Sequence, residues 1–292
     1  MKNTIFLFVL ASTFLTSCFS NEIDWNQASV EVLIEQLALI DTQGPGLHGT
    51  ASVGGFIGAD LPLSFQGGVI GAQRPVMYPA MRELVRRGVA AMPQLVAHIA
   101  DATPTKLVVG GNGKGEFHFM FQVYRNSYDP QPISYPEKKT YESDAEYKRR
   151  LTQFYYEYMR KNERYFDGPY TVKVGDVCFA LIGQILGRQY EPVAYQPTAG
   201  LVINSPIESP ELAEWVRRDW QDFTEAKHME VLLNGARQYA GLIRRAARSL
   251  VRLRFYFPDE YARQAKNGEL KTVIDEFERE ESARARLKAL DH

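Results

Sequence analysis

The strongest constraint on the fold is a pair of apolar stripes with helical spacing between residues 76 and 101. Met77, Met81, Leu84 and Val85 share one helical face, and Met92, Leu95, Val96 and Ile99 repeat the i, i+3, i+4, i+7 pattern. Gly88 stands where a left-handed C-cap belongs, and Pro93 falls in the first turn of the second helix. Amphipathic helices joined by a short turn must bury their stripes against further elements. The same stripe returns in Cys178, Leu181, Ile182 and Ile185 behind Asp176 as cap, and in Leu212, Trp215, Val216 and Phe223 behind Ser209-Pro210-Glu211. Ser29 caps an apolar-periodic segment running from Val30 to Ile40, and Ser143 opens a charged, tyrosine-dense helix that reaches about Arg164. The expected fold class is mainly α, a single helical domain over residues 29–292.

Two stretches break the helical pattern. Lys106-Leu107-Val108-Val109 and the alternating Phe117, Phe119, Phe121 and Val123 flank Asn112-Gly113, which predicts a β-hairpin inserted at 106–124. Asp41 to Pro75 is glycine-rich without a helical period, and within it Gly54-Gly55-Phe56-Ile57-Gly58-Ala59 is echoed by Gly67-Gly68-Val69-Ile70-Gly71-Ala72. A stretch this long without regular structure is uncommon in a compact domain unless it has a function, so an ordered surface loop is expected.

Residues 84–101 (LVRRGVAAMPQLVAHIAD) and 175–187 (GDVCFALIGQILG) resemble HEAT-like repeats, in which paired helices stack into a curved solenoid. That resemblance implies helical hairpins presenting a binding surface. Plain amphipathic helices in a compact helical domain fit the same residues, and a repeat array needs a third copy at a period of roughly 40 residues.

At the start of the chain, Lys2 precedes the apolar run Ile5-Phe6-Leu7-Phe8-Val9-Leu10-Ala11. The whole apolar stretch is about a dozen residues, short of the ~20 that a transmembrane helix needs, and reads as a secretory signal. It ends in Leu15-Thr16-Ser17-Cys18, which resembles the lipobox of bacterial lipoproteins. The resemblance implies removal of residues 1–17 as a signal peptide, a diacylglycerol on the Cys18 thiol, and acylation of the new amino terminus. Residues 18–28 would then form a lipidated tether. Two or three acyl chains hold a protein firmly where one does not. The implied place is the cell membrane, and Phe19 in the position after the cysteine resembles outer-membrane sorting if the host is Gram-negative.

Charge narrows the partners. With 34 basic and 35 acidic residues the chain is almost neutral, which argues against bulk attraction to nucleic acid. Cys18 and Cys178 are the only cysteines, so there is no disulfide framework.

Catalytic signals are thin. Val109 to Gly115 (VGGNGKG) fails as a phosphate-binding loop because Gly115 follows Lys114 and strand-like residues follow, where a helix N-terminus is required. The histidines at 48, 98, 118, 228 and 292 show no metal-binding spacing, and no GxSxG elbow occurs. Neither a cofactor nor a metal is implied. The candidates for an envelope hydrolase or sugar-modifying enzyme are His48, in a glycine loop, and the pair Glu116 and His118, which alternation puts on one strand face. His98 flanks an apolar stripe and reads as a helix-packing residue, and Cys178 as a buried, inert thiol. The tyrosines around Tyr155, Tyr156 and Tyr158 suit either sugar stacking or packing over the hairpin.

The candidate binding surface lies on a long helix expected from about Thr224 to Phe257. At about 100° per residue, Arg237, Arg244, Arg245, Arg248 and Arg252 fall within one arc, opposite Leu232, Tyr239, Ala246, Leu250 and Leu253. Residues 231–258 contain no acid. Guanidinium forks suit phosphate and carboxylate, so the stripe fits anionic headgroups or an acidic envelope polymer. It also fits internal neutralisation by Asp275, Glu276, Glu278, Glu280 and Glu281. Gly235 and Gly241 inside the helix suggest a close helix–helix approach. The expected role is a lipid-anchored, non-enzymatic helical scaffold or binding module for a protein or an envelope polymer.

Overall fold

The computed structural model describes residues 23–41, 62–63, 78–109, 117–120, 138–139, 142–166, 170–188, 190, 192–196 and 200–290. It is mainly helical, and the helices predicted from local rules are present. Helix α1 (Val30–Gln36) is capped by Ser29, whose Oγ accepts from the Val32 amide at 3.2 Å, and it runs into a 3-10 turn at Leu37–Leu39. Helix α2 (Pro79–Arg87) ends at Gly88 with φ +53°, and α3 (Met92–Ala97) carries Pro93 in its first turn. Helix α4 (Asp144–Asn162) begins with a reciprocal cap between Ser143 and Glu146. Helix α6 (Pro210–Trp220) starts at Ser209, which accepts from the Leu212 amide.

Helix α5 (Val174–Leu186) is the centre of the molecule, and all of its residues are buried. A helix apolar on every side has to be surrounded. Here α2, α3, α7 (Glu225–Gln238), α8 (Ile243–Tyr256) and the 3-10 turn at His98–Ala100 pack around it. Its sequence stripe of Cys178, Leu181, Ile182 and Ile185 is therefore only part of what it buries. Asp176 lies inside its first turn rather than at the cap, and reaches back to accept from the Lys173 amide at 2.9 Å.

The strands differ from the expected hairpin at 106–124. Strands β1 (Pro104–Val109) and β2 (Phe117–Met120) both form, but not as each other's partners. Strand β1 pairs antiparallel with β4 (Tyr170–Lys173), and β2 with β3 (Glu163–Phe166). An isolated two-stranded hairpin is marginal in water, whereas the β1–β4 pairing brings Leu107, Tyr170 and Val172 into the core. The Thr105 hydroxyl donates to Val172 O where the register of this pair slips. A local hairpin occurs later, between β5 (Val193–Gln196) and β6 (Gly200–Ile203).

Two apolar clusters result. One gathers α1, α2, α3, α5 and α6; the other gathers α7 (Glu225–Gln238), α8 (Ile243–Tyr256), α9 (Pro258–Asn267) and α10 (Lys271–Leu290). Between them stand His228, Arg252 and Tyr256, each hydrogen-bonded to a backbone carbonyl of the first cluster's helices.

Candidate binding surface

The predicted single helix from 224 to 257 is two helices. Helix α7 begins at Thr224, whose Oγ1 accepts from the Lys227 amide, and the chain turns over Tyr239 to Leu242 before α8. The two helices pack closely, and a Cβ on Gly235 would lie 2.3 Å from Ser249 Oγ. Gly235 thus serves the close approach expected of it. Gly241 does not: it lies in the turn, with open space around it. The apolar face predicted for this segment holds, since Leu232, Tyr239, Ala246, Leu250 and Leu253 are all buried.

Folding the segment back on itself dismantles the arginine arc. Arg237 is exposed and ion-paired with Glu269. Arg244 is the second residue of α8, and its side chain lies outside the described residues. Arg245 is exposed, with its guanidinium 5.5 Å from the centre of the Tyr239 ring. Arg248 is half-buried, and its carbonyl accepts from Arg252 Nη1 at 2.9 Å. Arg252, expected on the outer face, is fully buried and donates from Nε to Gln184 O at 2.6 Å. The carbonyls of the last helical turn have no partner within their own helix and carry the negative end of its dipole, so a cation there is favourable. The acids of the last helix neutralise a different arginine: Arg254 is held by Glu281.

His228 completes the same cap. It is fully buried on α7, and its Nε2 donates to Ile185 O at 3.1 Å. The rings of Phe223, Tyr256 and Phe257 surround it, with centroids 4.9 to 5.3 Å away. Burial lowers its pKa to about 4, the nearby Arg252 charge adding to the effect and the Ile185 carbonyl opposing it. Its Nδ1 has no hydrogen-bond partner among the described residues.

A second buried polar group lies at the other end of α5. The Tyr170 hydroxyl donates to Asp176 Oδ2 at 2.7 Å, and the Ser205 hydroxyl donates to Asp176 Oδ1. Ser205 Oγ in turn accepts from the amides of Ile207 and Glu208. Burial pushes Asp176 up to about 6 against the pull of these donors. The network clamps the start of α5 to the segment leading into α6. Cys178 is fully buried, and burial pushes its thiol up, as an inert side chain requires.

His98 is not the packing residue predicted. It is partly exposed, with Nδ1 2.9 Å from Asp101 and Nε2 3.2 Å from Glu31. Desolvation is outweighed by these two hydrogen bonds, so its pKa is raised.

Cys18, His48 and Glu116 lie outside the described residues, as does most of the glycine-rich stretch. Within that stretch, Pro62 is buried and its carbonyl accepts from Gln184 Nε2 at 2.6 Å, which ties the midpoint between the two glycine echoes to α5. His118 is in β2 opposite Tyr165. The side chains of His118 and of Tyr155, Tyr156 and Tyr158 are outside the described set. Among the described residues no three His, Cys, Asp or Glu side chains gather as a metal would require, and no helix is long and apolar enough to cross a membrane.

A second surface was not foreseen from the sequence. Val32 and Leu39, two turns apart on α1 and its 3-10 extension, are 37% and 41% exposed, and Val108 on the neighbouring β1 is 48% exposed. Alternation along β1 gave the signal for Val108. No family model, curated protein or solved structure matches the chain.

Proposed function

We propose that this chain is a lipid-anchored envelope protein whose helical body is a binding module for another protein. The lipobox-like Leu15-Thr16-Ser17-Cys18 supports the anchor. The observation that carries the binding role is the exposure of Val32, Leu39 and Val108 on α1, its 3-10 extension and the neighbouring β1, elements otherwise packed into the larger core cluster. Exposed apolar surface rimmed by polar groups marks interaction sites. Glu31, Glu35 and Asp41 are exposed polar groups on the same segment as Val32 and Leu39. The α7–α8 hairpin, whose two helices pack closely, supports a HEAT-like mode of presentation, in which a helix pair displays a face.

Two measurements test this reading. Mass spectrometry of the protein purified from its host should find an acylated Cys18, and Cys18→Ser should move the protein out of the membrane fraction; a bare amino terminus would remove the anchor. A photo-crosslinker at position 39 or 108 should capture one and the same partner, and Val108→Asp should abolish that capture. Different products from the two positions would remove the patch as a binding face.

A further inference from the structure

We infer that the protein recognised through Val32, Leu39 and Val108 is held at the same bilayer, because the arm that leads to Cys18 is fastened to the body close to the anchor. The inference rests on the lipid-anchored binding reading and names the partner of that site. The tether expected over residues 18–28 is fastened from Asp24 onward. The Asp24 carbonyl accepts from the amides of Gln27 and Ala28, and its Oδ1 from the Asn26 amide. The arm is thus wound into a turn directly before Ser29, the cap of α1. Arg87, in the last turn of α2, donates from Nη2 to the carbonyls of Trp25 and Asn26 at 3.2 and 3.1 Å. Its Nε is held 2.8 Å from Oε1 of Glu83, a buried carboxylate that Arg86 also grips, so the guanidinium is positioned before the arm reaches it. The Trp25 ring meets Tyr78 edge-on with centroids 6.3 Å apart, and Trp25 and Ala28 pack against the larger core cluster.

Chain length then sets the reach. Six peptide units separate Cys18 from Asp24, and at ~3.6 Å each they span at most about 22 Å by any path. The hydrogen-bonded turn and the first turn of α1 add about 15 Å, so Val32 stays within roughly 40 Å of the bilayer. A partner fixed beyond that distance cannot meet the face while the arm is fastened. The size of the face points the same way. Three partly exposed side chains offer far less apolar area than the ~800 Å² per partner of a stable interface, so they hold a partner only weakly in free solution. Two proteins confined to one membrane meet at a high effective concentration, and there a weak contact suffices.

Two measurements separate the fastening from the partner. Amide hydrogen exchange of residues 18–292 carrying Cys18→Ser, a chain that retains every described residue and has no lipid, reads the fastening. The Gln27 and Ala28 amides should be protected, and Arg87→Gln should speed their exchange by about tenfold. Equal rates in the two proteins would overturn the inference, because Arg87 would then not hold the arm. The partner is read in the host, with the full chain carrying a specific protease site between Glu22 and Ile23 and a photo-crosslinker at position 39 or 108. After irradiation, protease treatment of the membrane fraction should release the uncrosslinked body and leave the adduct on the membrane, from which detergent extracts it. An adduct released with the body identifies a soluble partner, and one that resists detergent identifies an envelope polymer. Either result overturns the inference and leaves the binding face standing. No adduct from either position removes the binding face itself, and this inference with it. A bare amino terminus at Cys18, read by mass, does the same through the anchor.

Discussion

Arg252 and Gln184 are joined by a 2.6 Å hydrogen bond from Nε to the backbone carbonyl, so a fully buried guanidinium on α8 caps the end of the central helix α5. The contact links the two apolar clusters, and it sits beside Gly187, which has φ +73°. A Cβ at Gly187 would lie 3.2 Å from Arg252 Cδ, so the helix end and the arginine stem fit each other.

Removing that guanidinium leaves a carbonyl without its donor and a cavity where the stem lay. Each effect costs on the order of 1–3 kcal/mol. Arg252→Ala is therefore expected to lower the unfolding free energy by about 3 kcal/mol, read from the urea midpoint. Arg252→Met should recover part of the loss by refilling the volume. If the alanine variant unfolds at the wild-type urea concentration, Arg252 has no capping role.

Much of the fold was legible because its rules are local. Ser29, Gly88, Pro93 and Ser209-Pro210 act on their own turns, and each element they predict is present. What escaped depends on distant chain. Strand β1 prefers Tyr170–Lys173 to its neighbour because that partner buries apolar surface, and no local alternation records this. The break at Tyr239–Leu242 was hidden because the buried stripe stays in phase across it, from Leu232 to Leu253. Arg252 and His228 were misplaced or passed over for one reason. A pattern of apolar and polar residues assigns both to solvent, and only the orphan carbonyls of α5, far away in sequence, draw them inward. Ser205, partner of Asp176, carried no sequence signal at all.

The two buried titratable groups predict opposite slopes in acid. The folded-state pKa of His228, about 4, lies below its ordinary 6.5. The unfolded chain therefore binds the extra proton, and stability falls as pH drops from 6.5 towards 4. Asp176 is raised from 3.8 to about 6, so the folded state keeps a proton that the unfolded chain has lost, and stability falls as pH rises across that window. The two windows overlap, and their slopes oppose each other between about pH 4 and 6. Urea unfolding at a series of pH values separates them. Relative to wild type, His228→Gln should gain stability on going from pH 7 to pH 5, and Asp176→Asn should lose it. Difference profiles that run parallel to the pH axis would contradict both assignments.

Gly88 tests how the α2 end meets the second cluster. Its φ of +53° is costly for any residue with a side chain, and a Cβ there would lie 2.7 Å from Tyr256 Cε1. The tyrosine has little room to yield, because its hydroxyl donates to Val85 O at 2.6 Å in the last turn of the same helix. Gly88→Ala should then cost about 2 kcal/mol or more, the sum of backbone strain and the displaced ring. Tyr256→Phe alone should cost about 1 kcal/mol, because it removes one hydrogen bond and keeps the ring. Freed from Val85 O, that ring can shift, so the double variant should lose less than the two single losses added. Thermal or urea unfolding of the four proteins measures the coupling. Strictly additive losses would mean that Gly88 is required by its backbone angle alone, and that the Tyr256 ring does not press on it.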